Sequence, residues 1–334
     1  MRIVGTGSAV PARIVTNDEL SLMVDTSDEW IRTRTGIRSR HIAEEETTLS
    51  LGYEASLRAL DAAAACGIKR TDISLIICAT VSNELRCPPL ACLLQRDLQL
   101  NNNILAFDLN AACSGFIYAL ICASRLIREG SYALVVGTEV LSRLTDFTDR
   151  NTCVLFGDGA GAAVVGLAAG VGTATPNNSN DDGGGSLDSS EGNDGCEVSQ
   201  DFFWVSEAQG NSDLLSIDKT IQMDGQGVFK FAVEALVRNI KAVVCKAQLE
   251  PKEIDVFICH QANERIIASA AKRLGVPLER FFMNLTHLGN TSAASVPLAL
   301  DDAVTAGVLH AGSKVVMAGF GGGLTAGAVY FTWQ

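Results

Sequence analysis

Three side chains with complementary chemistry lie far apart in this chain: Cys113, His260 and Asn290. Cys113 stands in Asp108-Leu109-Asn110-Ala111-Ala112-Cys113-Ser114-Gly115-Phe116. There an apolar run ends, small residues follow, and an apolar helical pattern begins at the cysteine. A thiol at a helix N-terminus faces the positive end of the macrodipole, which favours the thiolate. The competing reading is another core cysteine, the commoner state of a buried Cys; local context leaves both open.

His260 follows an apolar run in Cys259-His260-Gln261-Ala262-Asn263. The tip of a buried strand is where α/β folds present ligand-facing groups, although a histidine satisfied by loop carbonyls would look the same. Asn290, in Leu288-Gly289-Asn290-Thr291-Ser292-Ala293-Ala294-Ser295, reads locally as an ordinary helix N-cap. His41 and His310 read as surface residues, whereas His287 is close enough to Asn290 to neighbour a site. Gly319-Phe320-Gly321-Gly322-Gly323 follows a strand pattern and would let backbone N–H groups approach a ligand, or would simply make a tight turn. Phe156-Gly157-Asp158-Gly159-Ala160-Gly161 lacks the G-x-G-x-x-G spacing and opens a strand, so it does not read as a dinucleotide site.

The elements that must position these residues alternate between strand and helix, the signature of an α/β protein. Buried strands are expected at 74–80, 104–109, 133–138 and 161–166, and again near 255–259 and 313–319. Helices are expected at 48–65, 88–97, 113–128, 263–273 and 291–306. Phe229, Val233, Leu236, Val237, Ile240 and Val244 share a further helical face. The run Ile73–Cys78 resembles Ile254–Cys259, and the helix start at Cys113 has a counterpart at Asn290. The pattern suggests a duplicated unit, with chance likeness of short apolar strands as the alternative. The division read from this pattern is an N-terminal half at 1–172, a loop-rich connection at 173–214 and a C-terminal half at 215–334. Within the connection, residues 177–200 are mostly Asn, Asp, Ser and Gly, expected as a mobile acidic loop.

Composition bounds the function. The chain has 334 residues, 47% of them hydrophobic, and a net charge of −12. That charge argues against a nucleic-acid binder, which needs a basic face. The most apolar segment, Leu109 to Ser124, falls short of the roughly 20 residues that cross a bilayer, and Met1 to Gly7 does not read as a signal peptide. A soluble, cytoplasmic protein without membrane contact is expected. The ten cysteines include no C-x-x-C pair, which argues against structural metal or disulfides.

Taken together, the segments Thr26-Ser27-Asp28-Glu29-Trp30-Ile31, Arg34-Thr35-Gly36-Ile37-Arg38, Ala111-Ala112-Cys113-Ser114-Gly115, Phe156 to Ala162, His260-Gln261-Ala262-Asn263, Gly289 to Ser295 and Phe320 to Gly323 resemble the β-ketoacyl-(acyl carrier protein) synthase III family of the thiolase-like superfamily. The resemblance covers nearly the whole chain. It implies an αβαβα layered fold of two duplicated halves and a homodimer. It further implies convergence of Cys113, His260 and Asn290 as catalytic residues, with backbone N–H groups of Cys113 and Gly322 as the oxyanion hole. The implied reaction is a decarboxylating condensation of an acyl-CoA primer with malonyl-acyl carrier protein that initiates fatty acid synthesis. The CoA thioester is a substrate, and no metal or redox cofactor is called for.

By the same resemblance Thr26, Trp30, Arg34, Arg150 and Asn263 would contact CoA, and Cys87 and Phe229 would line the acyl pocket and channel. Lys230, Arg265, Lys272 and Arg273 would meet the acidic carrier protein. Cys87 stands where an aromatic residue is common, His287 where Tyr is common, and Ala326 where Trp is common. These departures bear on primer choice. A same-fold starter enzyme or acyltransferase of secondary metabolism, of polyketide or quinolone type, is the nearest alternative. A Cys–His–Asn thiol hydrolase is disfavoured by Trp30 and Arg150, and a non-catalytic binding protein would not need the three site residues.

Overall fold

The computed structural model describes residues 1–167 and 202–334; the acidic segment expected at 177–200 lies outside them. The first sheet contains β1 (Arg2–Ala9), β2 (Ile73–Ala79), β3 (Leu105–Leu109), β4 (Tyr132–Glu139) and β5 (Gly159–Gly166). Their spatial order is β1-β5-β4-β2-β3. The first two pairings are antiparallel and the last two parallel. β4 and β5 are buried along their whole length, which explains their near-continuous apolar sequence in place of an alternating one.

The second sheet repeats this plan with β6 (Phe202–Asn211), β7 (Val256–Cys259), β8 (Lys314–Gly321) and β9 (Gly323–Thr332). The order is β6-β9-β8-β7, with two antiparallel pairings followed by a parallel one. A parallel bridge from Phe257 to Phe281 stands where a fifth strand would continue the match. Duplication is therefore visible in pairing sense as well as in order. One expectation needs correction. Residues 202–211, placed in the loop-rich connection, form a ten-residue strand of the second sheet. The β-prone run Phe202-Phe203-Trp204-Val205 makes it, but the acidic Gly- and Ser-rich stretch before it masked the signal.

Helices fill the layers around the sheets. On the outer face of the first sheet lies α2 (Thr48–Ala65), whose buried Ala55, Ala59 and Ala63 allow close approach, together with α3 (Leu90–Asp97). The short helix α1 (Asp28–Thr35) lies near the start of the chain. Outside the second sheet pack α5 (Gly225–Lys246) and α6 (Glu264–Leu274). Between the sheets run α4 (Gly115–Leu126) and α7 (Ser295–Thr305), each touching strands of both. This central pair buries Phe116, Ile117, Leu120, Val296, Ala299 and Leu300 in one apolar layer. The result is the αβαβα thiolase-like architecture. Its consequence for chemistry is that the central helices α4 and α7 begin shortly after Cys113 and Asn290, respectively. Among the described residues no helix is long and apolar enough to cross a membrane.

Candidate active site

Cys113 lies in a short turn, Ala112–Ser114, that joins the end of β3 to α4. Its counterpart in the second half is the turn Ser292–Ala294 leading into α7. Each turn opens with a non-glycine residue in the left-handed region, Ala112 at φ 46° and Ser292 at φ 47°. Such a conformation is costly for a residue with a Cβ, so its presence at both duplicated positions marks these turns as held by their surroundings. Ser114 Oγ lies 2.7 Å from both Ala111 O and Thr325 Oγ1. Thr325 Oγ1 in turn donates to the Ala111 carbonyl at 3.0 Å.

The strand-end glycines serve close approach. A Cβ at Gly321 would stand 2.6 Å from the Cys113 backbone nitrogen, so the end of β8 can lie against the Cys113 N–H only without a side chain. Gly322, the expected oxyanion donor, lines a cavity together with Cys113 and Ser292. Gly321 carries the steric demand there, a point that the run of four glycines around Phe320 did not separate.

Cys113, His260 and Asn290 come together on one cavity of about 180 Å³, with Phe229, Asn263, Leu155, Phe156 and Phe320 among its walls. All three are buried, at 9%, 1% and 7% exposure. His260 sits at the tip of β7, where its backbone N–H donates to Ala318 O at 2.8 Å. Its ring meets the edge of Phe320 at a centroid distance of 5.0 Å. His260 Nδ1 lies 2.6 Å from Ser295 Oγ, and that oxygen also accepts the Gln261 N–H at 3.4 Å. Among the described residues the buried Ser295 hydroxyl has no other acceptor, so it gives its own proton to Nδ1. The ring proton is then on Nε2. Burial pushes the His260 pKa down to about 3, so the imidazole is neutral.

Asn290 is oriented by the same logic. Its side-chain Oδ1 accepts the Ser292 N–H at 2.9 Å, leaving the amide NH₂ for the cavity. The helix-start reading and the functional reading of this residue are thus compatible: one end caps, the other donates. Its backbone is clamped by Leu155 and Gly157, with Asn290 N–H donating to Leu155 O at 2.8 Å and Gly157 N–H to Asn290 O at 3.0 Å. This accounts for Phe156-Gly157-Asp158. A Cβ at Gly157 would come within 2.3 Å of Leu288 O. Buried Asp158 accepts from Ala43 N, Ser142 N and Ser142 Oγ.

The thiolate expected of Cys113 is not its resting form. Burial pushes the thiol up to about 12, while Ser292 acts in the opposite direction and the Glu139 charge adds to the rise. This rise runs against the helix-start effect that favours the thiolate.

A second cavity of about 410 Å³ shares Cys113, Phe156 and Leu215 with the first and is lined further by Val81, Leu141, Ile217, Ile221 and Thr325 among others. Cys87, expected at the end of the acyl pocket, lines neither this cavity nor the first and is exposed. His287 is exposed as well and lines neither cavity. Glu139, Ser292 and Ser295 were not singled out from sequence, since a lone Glu at a strand end and serines at a helix start look ordinary.

Elsewhere, Trp30 of α1 has Arg34 over its ring at 4.5 Å and Arg150 at 4.9 Å. Arg150 also donates to Asp25 O at 2.9 Å. Asn263 caps α6 by accepting the Arg265 N–H and donates to Arg34 O at 3.0 Å. Thr26 Oγ1 is buried without a hydrogen-bond partner. Arg265 lies over the Phe229 ring at 5.8 Å. Lys230 is exposed on α5, and Lys272 and Arg273 occupy the last turn of α6.

Comparison with known proteins adds to this geometry. Residues 107–180 match the family model of 3-oxoacyl-[acyl-carrier-protein] synthase III, and residues 244–333 match the model of its C-terminal part. The β-ketoacyl-[acyl-carrier-protein] synthase III of Clostridium acetobutylicum is 45% identical over 100% of this chain and 98% of its own length. That of Xanthomonas campestris is 45% identical over 98% of this chain and 96% of its own. The chain belongs to the β-ketoacyl-[acyl-carrier-protein] synthase III family. The solved synthase III of Aquifex aeolicus overlays with a TM-score of 0.87 at 39% identity, covering 99% of each chain. A priming β-ketosynthase of the R1128 polyketide pathway overlays at 0.84 with 35% identity, covering 99% of this chain and 96% of its own. As a synthase III this protein is an acyl-transferring condensing enzyme that initiates fatty acid synthesis.

Proposed function

We propose that this synthase III joins an acyl-CoA primer to malonyl-acyl carrier protein, with Cys113 as the acylated nucleophile. The observation that carries this reading is the pair of fixed donors beside the thiol: the His260 Nε2–H set by Ser295, and the Asn290 amide set by Ser292. A hydrolase needs a base to activate water, whereas these two groups present protons. What they suit is an oxygen that gains negative charge.

The steps follow from charge. Cys113 attacks the primer thioester, the backbone N–H groups of Cys113 and Gly322 receive the oxyanion, and CoA leaves with the primer held on sulfur. Malonyl thioester then enters and loses CO₂. Its enolate oxygen takes hydrogen bonds from His260 and Asn290, and its carbon attacks the Cys113 acyl group to give the 3-ketoacyl product. A neutral His260 is the right form for this task, because a donor with no net charge costs less to bury. No step calls for a metal or redox group. Among the described residues no cluster of His, Cys, Asp and Glu is arranged to hold a metal ion.

Trp30, Arg34 and Arg150 supply a flat cationic surface for a nucleotide base. Thr26, whose hydroxyl oxygen is buried and unpartnered, and Asn263 complete the CoA contacts. Phe229 lines the approach to the thiol. Lys230, Arg265, Lys272 and Arg273 form the docking face for the carrier protein, with opposite charge as the means of recognition. A homodimer formed across the edge strand β3 would cover Leu105, which is 51% exposed, and Leu85 at 50%. The cytoplasm, where both thioesters are made, is the compartment that fits. The two halves meet at the site, the first supplying Cys113 and the second His260 and Asn290.

A polyketide or other secondary-metabolic starter enzyme is the second reading, favoured by the 35% identity to the R1128 priming synthase. Intact-protein mass spectrometry with a panel of acyl-CoAs separates the two. Short acyl adducts discharged by malonyl-acyl carrier protein as 3-ketoacyl product support fatty acid initiation. Adducts from long or aromatic acyl-CoAs alone would favour the second reading, and no adduct from any donor would overturn both.

A further inference from the structure

Arg40 is a cation that the reaction steps above leave unused, and it is buried to 1% exposure. It stands in the short strand Ser39–His41, which pairs with Ile14–Thr16. Each acceptor of its guanidinium is a neutral oxygen. Nη1 donates to Asn17 Oδ1 at 2.9 Å and to Val15 O at 3.3 Å, and Nη2 donates to Val154 O at 2.7 Å. Its Nε is buried without a hydrogen-bond partner. Burial lowers the guanidinium pKa to about 10, so the group stays charged at neutral pH. Taking a charge out of water is costly, and an apolar side chain would fill the same space without that penalty. The use of Arg40 therefore lies in what its nitrogens join.

They join two parts of the site. Val154 precedes Leu155, a wall of the first cavity whose carbonyl accepts the Asn290 N–H at 2.8 Å. A Cβ at Gly157 would stand 3.1 Å from the Arg40 Cβ, and one at Gly289 would stand 3.4 Å from it. The stem of Arg40 thus lies against both segments that hold Asn290. In the other direction, buried Asn17 turns its amide to Asp28 Oδ1 at 2.9 Å and to Ile37 O at 2.8 Å. Asp28 opens α1, the helix that carries Trp30 and Arg34. We infer that Arg40 is a positioning residue for the condensation: its planar fork fixes the Trp30 helix and the Asn290 segment at one spacing. The inference rests on the proposed roles of Trp30 at the CoA nucleotide and of Asn290 at the enolate. A thioester anchored by its nucleotide has its carbonyl placed by that spacing, and a small misplacement of reacting atoms lowers a rate steeply. Lysine is no substitute, because a compact ammonium lacks the two diverging nitrogens of the fork.

The test compares Cys113 acylation by a short acyl-CoA with acylation by the same acyl group on pantetheine, which lacks the nucleotide. Decarboxylation of malonyl-acyl carrier protein, whose arm also lacks it, is measured beside them. In the natural protein acyl-CoA should react with the higher kcat/KM, through a lower KM. Asn17→Ala cuts the branch to α1 alone, so the advantage of acyl-CoA should shrink about 10-fold while the decarboxylation kcat stays near its natural value. Arg40→Met cuts both branches. It should show the same shrinkage, with the decarboxylation kcat lower by about 10- to 100-fold. Arg40→Lys keeps the charge and serves as the second variant should Arg40→Met fold poorly; it should show both losses. A lowered thermal midpoint with the acyl-CoA advantage and the decarboxylation kcat unchanged below it would overturn the inference, because Arg40 would then support the fold alone. Equal losses with acyl-CoA and acyl-pantetheine in Arg40→Lys would overturn it as well. Should the natural protein take no acyl group from CoA, the substrate reading falls and the inference with it; normal acylation of the natural protein beside unchanged variants removes the inference alone.

Discussion

His260 Nδ1 lies 2.6 Å from Ser295 Oγ, and the Gln261 N–H reaches the same oxygen from the other side. Ser295 is the first residue of the central helix α7, so the tautomer of the site imidazole is written by the helix that also begins just after Asn290. Both donors proposed for the enolate thus depend on one turn. Their directions are fixed before substrate arrives, which is the condition under which such donors contribute most to a transition state.

Ser295→Ala should therefore separate the two half-reactions. Without the hydroxyl the ring can place its proton on Nδ1 and present a lone pair to the enolate. Decarboxylation and condensation should fall about 10- to 100-fold, while acylation of Cys113 by the primer stays close to normal. Ser295→Thr, which keeps the hydroxyl, should recover most of the loss. Malonyl decarboxylation measured beside the acyl adduct decides it, and an equal loss in both half-reactions would contradict the tautomer argument.

The depressed pKa of His260 predicts a stability effect with a definite sign. The folded ring titrates at about 3 and the unfolded one near 6.5. Between those values the unfolded chain binds more protons, so this group's contribution is lost as pH falls through that window. Glu139 works oppositely: raised to about 7 from 4.5, it favours the folded state as pH falls through its own interval. His260→Gln should remove the first term alone. Relative to the natural protein, the variant should gain about 3 kcal/mol on going from pH 7 to pH 4.5, read from urea unfolding at each pH.

Much of this was legible in the sequence, for a physical reason in each case. The continuous apolar runs at β2 and β4 and the 48–65 helix have one periodicity and no competing signal, so their type and place are clear. The likeness of Ile73–Cys78 to Ile254–Cys259 surfaces as corresponding strands of two sheets with the same pairing sense. What was hidden depends on three-dimensional company. Glu139 is ordinary until Ser82 and Ser292 are seen around it. The Cys113 thiol was read by its helix and not by the burial that raises its pKa. Cys87 was read by its place in a motif, and only coordinates reveal that it is exposed and lines neither cavity within this chain.

Gly321→Ala probes the contact between strand end and nucleophile. The added Cβ would stand 2.6 Å from the Cys113 nitrogen and 3.1 Å from the Ala112 Cβ. Backbone cannot yield as a flexible side chain would, so β8 or the Cys113 turn must shift. Acylation should fall at least about a hundredfold through loss of one oxyanion donor, with a stability loss of about 1–3 kcal/mol from overpacking. Thermal unfolding and the adduct assay together test this; a fully active variant would show that the turn has slack.

The cavity beyond Cys113 should set which primer is accepted. Its walls at Val81, Leu141, Leu215 and Ile221 are aliphatic, and its volume of about 410 Å³ gives a flexible acyl chain room without offering a charged partner. Leu215 also packs against the apolar group of Leu141, Phe156 and Ile221, so a larger ring at that position has to project into the space the chain would occupy. Leu215→Trp should shift the adduct panel toward the shortest primers. For longer chains kcat/KM should fall by about 10-fold or more, since excluding a buried methylene or two is worth roughly 1–3 kcal/mol. Leu215→Ala should move the preference the other way. The ratio of adducts formed from an equimolar mixture of acyl-CoAs gives the answer in one measurement, and an unaltered ratio in both variants would place the primer outside this cavity.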